Sequence, residues 1–545
     1  MMNGINKNNR IWKNEWKNFG MSLISGVMTG IAFSWDKAWW IVFFSLIPFC
    51  EVLFKEEKWK KCIFGFTLGN YMISISWLYA LLPALPDQRA GVFLLFLAIF
   101  LISILLGILF LIAFLPFTYL RTKSSIDIFL VALFYILGEW FQEKISIISF
   151  PWVRLAVTVT PWKAFIQSAS VGGSLFVSFL TVLINGILAW EWQQRGEEKK
   201  KIHLEVGKWV AVILVIGNIV FGYSRLFIGE NSDRKGADVG GVILIQGNHS
   251  GMQKWNMTTE EIFKDYLALS IQGLEKEENI KLILWPETAV PIVLKEESKE
   301  VELLTQICQK YQTEFLIGGI YQKGEKQYNA MFAIGEKGLF KEIYTKQILV
   351  PFGEYLPYDW LLEKIMPNWV EEWKKELVLK PGEKVEMIPT SEGVAGGIIC
   401  YESIFSETAR NAVKRGAEFF ALISNDSWFG SSAALKQHHA QAILRAVEQK
   451  REVMRVSNTG ISSFISKYGI VEKTAPILER MWLTGEIEKE EEKTVYFVLG
   501  DVIAWGGVIV WGIGIYGGMC WRKGHKNSMN TLSDALSLRS RRNGH

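Results

Sequence analysis

The chain has 545 residues, of which 50% are hydrophobic, 13% aromatic and 21% charged. That length exceeds one ordinary domain, and the mixture excludes a uniform soluble globule in favour of membrane segments joined to a soluble domain. The net charge of +4 is too small for a nucleic-acid footprint, so no nucleic-acid partner is expected. Cysteines stand at 50, 62, 308, 400 and 520 with no Cys-x-x-Cys pair, which argues against a zinc or thioredoxin-like site. Cys308 lies on the apolar face of a helical pattern (Val301, Leu303, Leu304, Ile307), so a disulfide to Cys400 is not expected.

A membrane helix needs about 20 predominantly apolar residues. Seven runs qualify in the first part of the chain: about 20–35, 38–54, 62–83, 91–119, 126–142, 164–192 and 209–228, the first two short. No small-residue cleavage pattern follows the first, which reads as retained. Basic residues favour the cytoplasmic side. Lys7, Arg10, Lys13 and Lys17 precede the first run, and Lys55, Lys58, Lys60 and Lys61 follow the second. Arg121 and Lys123 follow the fourth, and Arg195, Lys199, Lys200, Lys201 and Lys208 follow the sixth. The alternate loops are poorer, with Lys37 and Arg89. The N-terminus is therefore predicted inside and the residues after 228 outside. A final run over 496–521 leads into Arg522, Lys523 and Lys526, so the C-terminus is predicted inside as well. The expected organisation is a membrane domain over 1–228, an outer domain over 229–495, an eighth span over 496–521 and a cytoplasmic tail over 522–545. The loop holding Phe150-Pro151-Trp152 is rich in aromatics; Trp152 reads either as an interfacial anchor or as part of a lipid access site facing the outer domain.

Between 229 and 495 the pattern changes. Strands are predicted at 242–246, 282–285, 315–319, 328–334, 395–400, 419–423 and 454–458, with helices over 259–274 and 300–311. Alternating strands and helices indicate a layered α/β domain, and the crowding of strands near 315–345 argues against a simple parallel sheet.

Three polar residues close apolar runs in this region: Glu287 after Leu282-Ile283-Leu284-Trp285-Pro286, Lys346 before Ile348-Leu349-Val350, and Cys400 after Gly396-Gly397-Ile398-Ile399. A glutamate can take a thiol proton. A lysine can lower a thiol pKa and hold the oxygen of a tetrahedral intermediate. A cysteine can form a thioester. Each has a bland counterpart: a solvated turn carboxylate, an exposed lysine, and a buried inert thiol. The six histidines include adjacent His438 and His439 but no ligand-spaced set, so no metal site is expected.

Taken together, Trp285-Pro286-Glu287, Lys346 with Pro351-Phe352-Gly353-Glu354, and Cys400-Tyr401-Glu402 resemble the nitrilase superfamily. With seven spans before and one after, the whole chain resembles the apolipoprotein N-acyltransferase family. Further matches are Gln246-Gly247-Asn248, Tyr328-Asn329, Ser424–Gly430, Gln437-His438 and Ser457–Gly460. The resemblance implies a polytopic α-helical membrane domain of about eight transmembrane helices plus an αββα nitrilase-like sandwich. It implies a Glu287-Lys346-Cys400 triad, with Glu354 orienting it and Tyr401 and Glu402 setting the pocket beside the nucleophile. Trp255 matches a tryptophan on a mobile loop, Trp152 one at the membrane mouth and Asn329 one near the pocket. The implied reaction passes an acyl chain from a membrane phospholipid, through a thioester, to a diacylglyceryl-modified apolipoprotein at the outer face of the cell (cytoplasmic or inner) membrane. No metal or organic cofactor is implied. The sequence departs from the family at Glu452, where a proline usually follows the arginine. A membrane-tethered amidase and a catalytically silent scaffold remain alternative readings.

Overall fold

The computed structural model describes residues 2–55, 59–85, 87–145, 149–195, 202–232, 240–249, 257–374 and 378–521. Its first half is helical. Helices Met2–Ser34, Lys60–Ser74, Gln88–Phe114, Asp127–Lys144, Ala169–Gln193 and Ile202–Ser232 cover six of the seven predicted runs. The other run is broken into a 3-10 turn, Asp36–Ile41, and two short helices, Val42–Ser45 and Ile47–Lys55. A break in apolar surroundings leaves backbone groups that something must satisfy. Asn185 does so: Leu46 N donates to its Oδ1 (2.9 Å), and its Nδ2 donates to Val42 O (2.9 Å).

Among the described residues, five helical stretches are long and apolar enough to cross a membrane: Asp36–Lys55, Gln88–Leu120, Ala169–Gln193, Glu205–Gly229 and Val502–Trp521. The predicted spans at 20–35, 62–83 and 126–142 fall outside that set. Ser22, Gly26, Thr29 and Gly30 dilute the first, Pro83 sits in a 3-10 turn ending the second, and Asp127 and Glu139 lie in the third. The predicted 496–521 run is two pieces, because Gly500 takes φ +59° after the short helix Val495–Leu499.

The first two long helices meet through facing glycines. A Cβ on Gly26 would stand 2.0 Å from Phe66 O, and one on Gly69 would stand 2.5 Å from Leu23 O. Small residues spaced by four let helix backbones touch, which is how helices associate without a hydrophobic driving force.

The second half is a two-sheet sandwich. The strands are β1 (Gly241–Gln246), β2 (Ile280–Leu284), β3 (Val290–Val293), β4 (Glu314–Lys323), β5 (Lys326–Gly335), β6 (Gly338–Thr345), β7 (Ile388–Thr390), β8 (Gly393–Ile399), β9 (Phe419–Ser424), β10 (Val453–Ser457), β11 (Ser463–Ile465), β12 (Val471–Thr474) and β13 (Met481–Glu486). One sheet runs β13-β1-β2-β4-β5-β6, with β3 beside β4; the other runs β12-β11-β10-β9-β8-β7. Parallel pairs occupy the middle of both sheets, and antiparallel strands complete them. Val242, Leu244, Leu284, Leu316, Ile399, Ile423 and Met454 fill the space between the sheets. Helices Thr259–Lys276 and Lys299–Tyr311 cover the outer face of the first sheet.

The outer face of the second sheet is covered by helices Ser406–Lys414 and Ala434–Gln449, and its apolar cluster is continuous with that of the membrane helices. The sandwich therefore shares a helical layer with the first half of the chain. Ala434–Gln449 is buried almost all round although it carries Gln437, His438, Gln441, Arg445 and Glu448. Buried polar groups need partners, and these find many across the junction. Gln437 Nε2 donates to Phe33 O (3.2 Å) and Ser74 O (3.1 Å), Gln441 Nε2 donates to Trp152 O (3.1 Å), and Ser174 N donates to Glu448 Oε1 (2.8 Å).

Glu452 leads into β10 with its side chain buried, where Oε2 accepts from Glu488 N (2.9 Å). Burial, with Glu472 and Glu488 nearby, pushes its pKa up from 4.5 to about 8. The native state then binds more protons than the unfolded chain between those values, so stability falls as pH rises through that window. Glu452→Gln keeps an acceptor and removes the charge. In thermal melts the variant should exceed the parent by several degrees at about pH 9 and match it near pH 5, and equal melts at both would count against this account.

Candidate active site

Glu287, Cys400 and Asn425 follow the C-terminal ends of β2, β8 and β9, the edge where open α/β sheets bind ligands. Glu287 stands on a tight turn. Trp285, fully buried, anchors that turn by donating from Nε1 to Ser270 Oγ (2.9 Å). Thr288 takes φ +51°. Only glycine fits opposite: a Cβ on Gly318 would lie 2.4 Å from Pro286 O and 2.7 Å from Glu287 Cα. Lys346 follows β6, its N–H donating to Asn329 O (2.8 Å) and its carbonyl accepting from Gly382 N (2.7 Å).

The side chains converge. Lys346 Nζ donates to Glu287 Oε1 (2.9 Å) and to Glu354 Oε1 (3.0 Å). Asn329 Nδ2 donates to the same two oxygens, at 2.7 Å and 2.9 Å. Glu287 Oε2 accepts from Asn425 N (2.9 Å), and Glu354 Oε2 accepts from Val350 N (2.8 Å). Lys346 is 1% exposed and Glu287 5%. Burial pulls the Lys346 ammonium down, but Glu287 and Glu354 outweigh it and hold its pKa well above the usual lysine range. The lysine is a fixed cation between two carboxylates.

Cys400 follows β8 in the left-handed region, φ +51°, and opens the 3-10 turn Cys400–Ile404. Side chains other than glycine rarely adopt that conformation, which concentrates at functional sites. Burial and the Glu287 carboxylate push the thiol up and Lys346 pulls it down, leaving it well above its ordinary value. The surroundings thus disfavour the thiolate, and a reaction at sulfur calls for a base beside it.

Tyr401 donates from its hydroxyl to Ser149 O (2.7 Å) and borders a cavity of about 460 Å³ with Tyr355, Leu356, Trp373 and Lys380. Glu402, expected beside the pocket, instead points into the protein. It accepts from Gln347 N (2.5 Å), Ile348 N (3.3 Å), Ile399 N (2.7 Å) and Tyr344 Oη (2.9 Å), tying the cysteine turn to the lysine segment. Burial raises its pKa to about 7. Trp152 is buried at 2% exposure, so it is not a lipid-facing anchor; Nε1 donates to Gln437 Oε1 (2.7 Å). Trp255 lies outside the described residues. Cys308 and Cys400 are both free thiols.

Around the Cys400 backbone lies a polar knot that joins parts of Ser424–Gly430, Gln437-His438 and Ser457–Gly460 to Arg455, a residue the motifs do not include. Asp426 Oδ1 accepts from Ser424 Oγ (2.7 Å), and Oδ2 from Ser457 Oγ (2.9 Å) and Arg455 Nη2 (2.8 Å). Burial pushes the Asp426 carboxyl up, but Arg455 and His438 outweigh it and hold it well below the carboxylate range. Polar residues just past strand ends and a buried helix rich in Gln, His and Arg were the available signals.

The sandwich, with a carboxylate, an ammonium and a thiol gathered at one edge, defines a carbon-nitrogen hydrolase domain, and residues 242–495 match that family. Residues 25–187 match the apolipoprotein N-acyltransferase N-terminal domain. The apolipoprotein N-acyltransferase of Haemophilus influenzae is 27% identical over 504 residues, covering 90% of this chain and 92% of its own. That of Geobacter metallireducens is 29% identical over 378 residues, covering 68% and 70%. That of Thermotoga maritima is 27% identical over 496 residues, covering 88% and 90%. The chain belongs to the apolipoprotein N-acyltransferase family, and its apolar helices make it a membrane protein.

Asn329 is, besides Lys346, a donor shared by both carboxylates, so its loss removes two hydrogen bonds to charged groups. Asn329→Ala should lower kcat/KM of acyl transfer roughly 10- to 100-fold, on the scale of such bonds. A rate within error of the parent would show that Lys346 alone holds the two carboxylates.

Proposed function

We propose that this chain transfers a fatty acyl group from a membrane phospholipid to the free α-amine of the diacylglyceryl-cysteine of apolipoproteins. The observation that carries the reading is the buried Lys346 held between Glu287 and Glu354 beside the strained cysteine turn, in a sandwich joined to membrane helices. In the first half-reaction Glu287 takes the Cys400 proton and the sulfur attacks the ester carbonyl. The carbonyl oxygen becomes an oxyanion that Lys346 stabilises. Collapse breaks the ester C–O bond, Glu287 returns the proton to the departing lysophospholipid oxygen, and the acyl chain stays on sulfur as a thioester. In the second half-reaction the lipoprotein amine attacks the thioester. The C–S bond breaks, the amide forms, and the amine's proton passes through Glu287 back to sulfur.

Glu354 and Asn329 orient the base and the lysine, and Tyr401 borders the substrate space. The proposed frame has seven spans within 1–228, the catalytic domain over 229–495 on the outer face, an eighth span within 496–521 and a cytoplasmic tail. In that frame both substrates are lipid-anchored and meet the site in two dimensions. Water as acceptor would give the amidase reading; the match of residues 25–187 to the acyltransferase membrane domain favours the lipoprotein amine.

Incubating the purified protein with a fluorescent phospholipid should label Cys400, seen as an acylated peptide by mass spectrometry. Adding a diacylglyceryl peptide should move the label to its N-terminus. Cys400→Ala should abolish both while the protein still inserts. Release of ammonia from small amides with no acyl-enzyme would replace this reading with the hydrolase.

A further inference from the structure

His438 faces the nucleophile from below. Nε2 lies 3.0 Å from the Cys400 carbonyl oxygen. A carbonyl cannot donate, so the proton of that hydrogen bond sits on Nε2. The other ring nitrogen, Nδ1, lies 3.0 Å from Asp426 Oδ1 and 3.2 Å from Arg455 Nη2. Aromatic rings pack against the imidazole on two sides. Trp152 stacks on its face (centroids 5.4 Å apart, 28° between planes), and Phe429 closes its edge (6.3 Å, 86°). Trp152 and its neighbour Gln437 are in turn fixed to the membrane half: Trp152 Nε1 donates to Gln437 Oε1, and Gln437 Nε2 donates to the carbonyls of Phe33 and Ser74.

We infer that His438 is a positioning residue for the nucleophile: its imidazole holds the Cys400 peptide in the left-handed turn, and helices Met2–Ser34 and Lys60–Ser74 hold the imidazole through Gln437 and Trp152. The inference rests on Cys400 being the nucleophile. Three features support it. Cys400 is in a conformation that needs outside support. Nε2 meets the Cys400 carbonyl and Nδ1 meets Asp426, so both ring nitrogens are engaged by groups other than the thiol. And His438, Asp426 and Arg455 are each at most 1% exposed, a buried polar set that the acid-base steps leave unused.

The test uses the full-length protein in lipid nanodiscs. A glutamine amide nitrogen reaches about as far as imidazole Nε2, whereas an asparagine amide reaches only as far as Nδ1. His438→Gln should therefore keep near-parental kcat. His438→Asn and His438→Leu should lose kcat roughly 10- to 100-fold with KM nearly unchanged, the scale of a misplaced reacting atom. The rate of Cys400 alkylation by iodoacetamide, read on the Cys400 peptide, should change with kcat across the series. Parental kcat and alkylation in the Asn variant would overturn the inference. So would equal losses in Gln and Asn that follow their melting temperatures. If the Leu variant does not fold, the Gln-Asn contrast decides alone. Cys400→Ala, assayed in parallel, separates the two claims: transfer persisting there removes the nucleophile itself, whereas an inactive Cys400→Ala beside a fully active Asn variant removes only the positioning role.

Discussion

A lysine ammonium taken out of water is costly unless opposite charge and hydrogen bonds meet it. Lys346 is almost wholly buried, and Glu287 and Glu354 both reach it. Satisfying that one cation brings together the turn after β2, the segment after β6 and the Pro351–Glu354 loop. Asn329 on β5 bridges the two carboxylates, and the backbone of Asn425 after β9 completes the coordination of Glu287. Both sheets thus contribute to a single charge cluster. The proposed reaction uses the same cluster, because a cation locked in a dry site stabilises a new oxyanion without reorganising.

The second constraint is the helical layer shared between sandwich and membrane half. Ordinarily such a layer has a wet outer face. Here Ala434–Gln449 is enclosed, and its polar side chains become the joints of the molecule. Arg445 and Glu448 pair within the helix, and Glu448 also accepts from Ser174 beside the glycine kink at Gly172-Gly173. Arg154 of the membrane half pairs with Glu143 and donates to Ser406 Oγ (3.2 Å), two residues beyond the cysteine turn. A buried polar network of this kind fixes relative placement because every unmatched member is penalised. The edge that carries the candidate site is therefore set against the membrane half by specific bonds as well as by apolar contact.

Much of this was legible in the sequence where the signal is local. Apolar runs marked the long helices, and the β2, β4, β8, β9 and β10 strands fell close to their predicted ranges, because period and length are properties of contiguous residues. Glu287, Lys346 and Cys400 were each visible only as a polar residue at the end of an apolar run, and the resemblance carried by Trp285-Pro286-Glu287, Pro351–Glu354 and Cys400-Tyr401-Glu402 is what made them a set. The breaks were less visible. The interruption within Asp36–Lys55 depends on Asn185, whose carbonyl lies 139 residues from the amide it accepts, and the division at Gly500 depends on one backbone angle.

By itself, then, the sequence determined the composition of the parts: an apolar helical half, a layered α/β half, and a carboxylate, an ammonium and a thiol at three strand ends. Tertiary structure alone decided what each polar neighbour does. Glu402, two residues after Cys400, turned inward to pin backbone, whereas Asn329, from another strand, joined the two carboxylates. His438, 38 residues away, met the Cys400 carbonyl, and Gln437 met Phe33 across 404 residues. Such contacts carry no periodicity along the chain. They arise when burial leaves polar atoms that must find partners, and which partners are in reach is fixed only once the helices and sheets have packed.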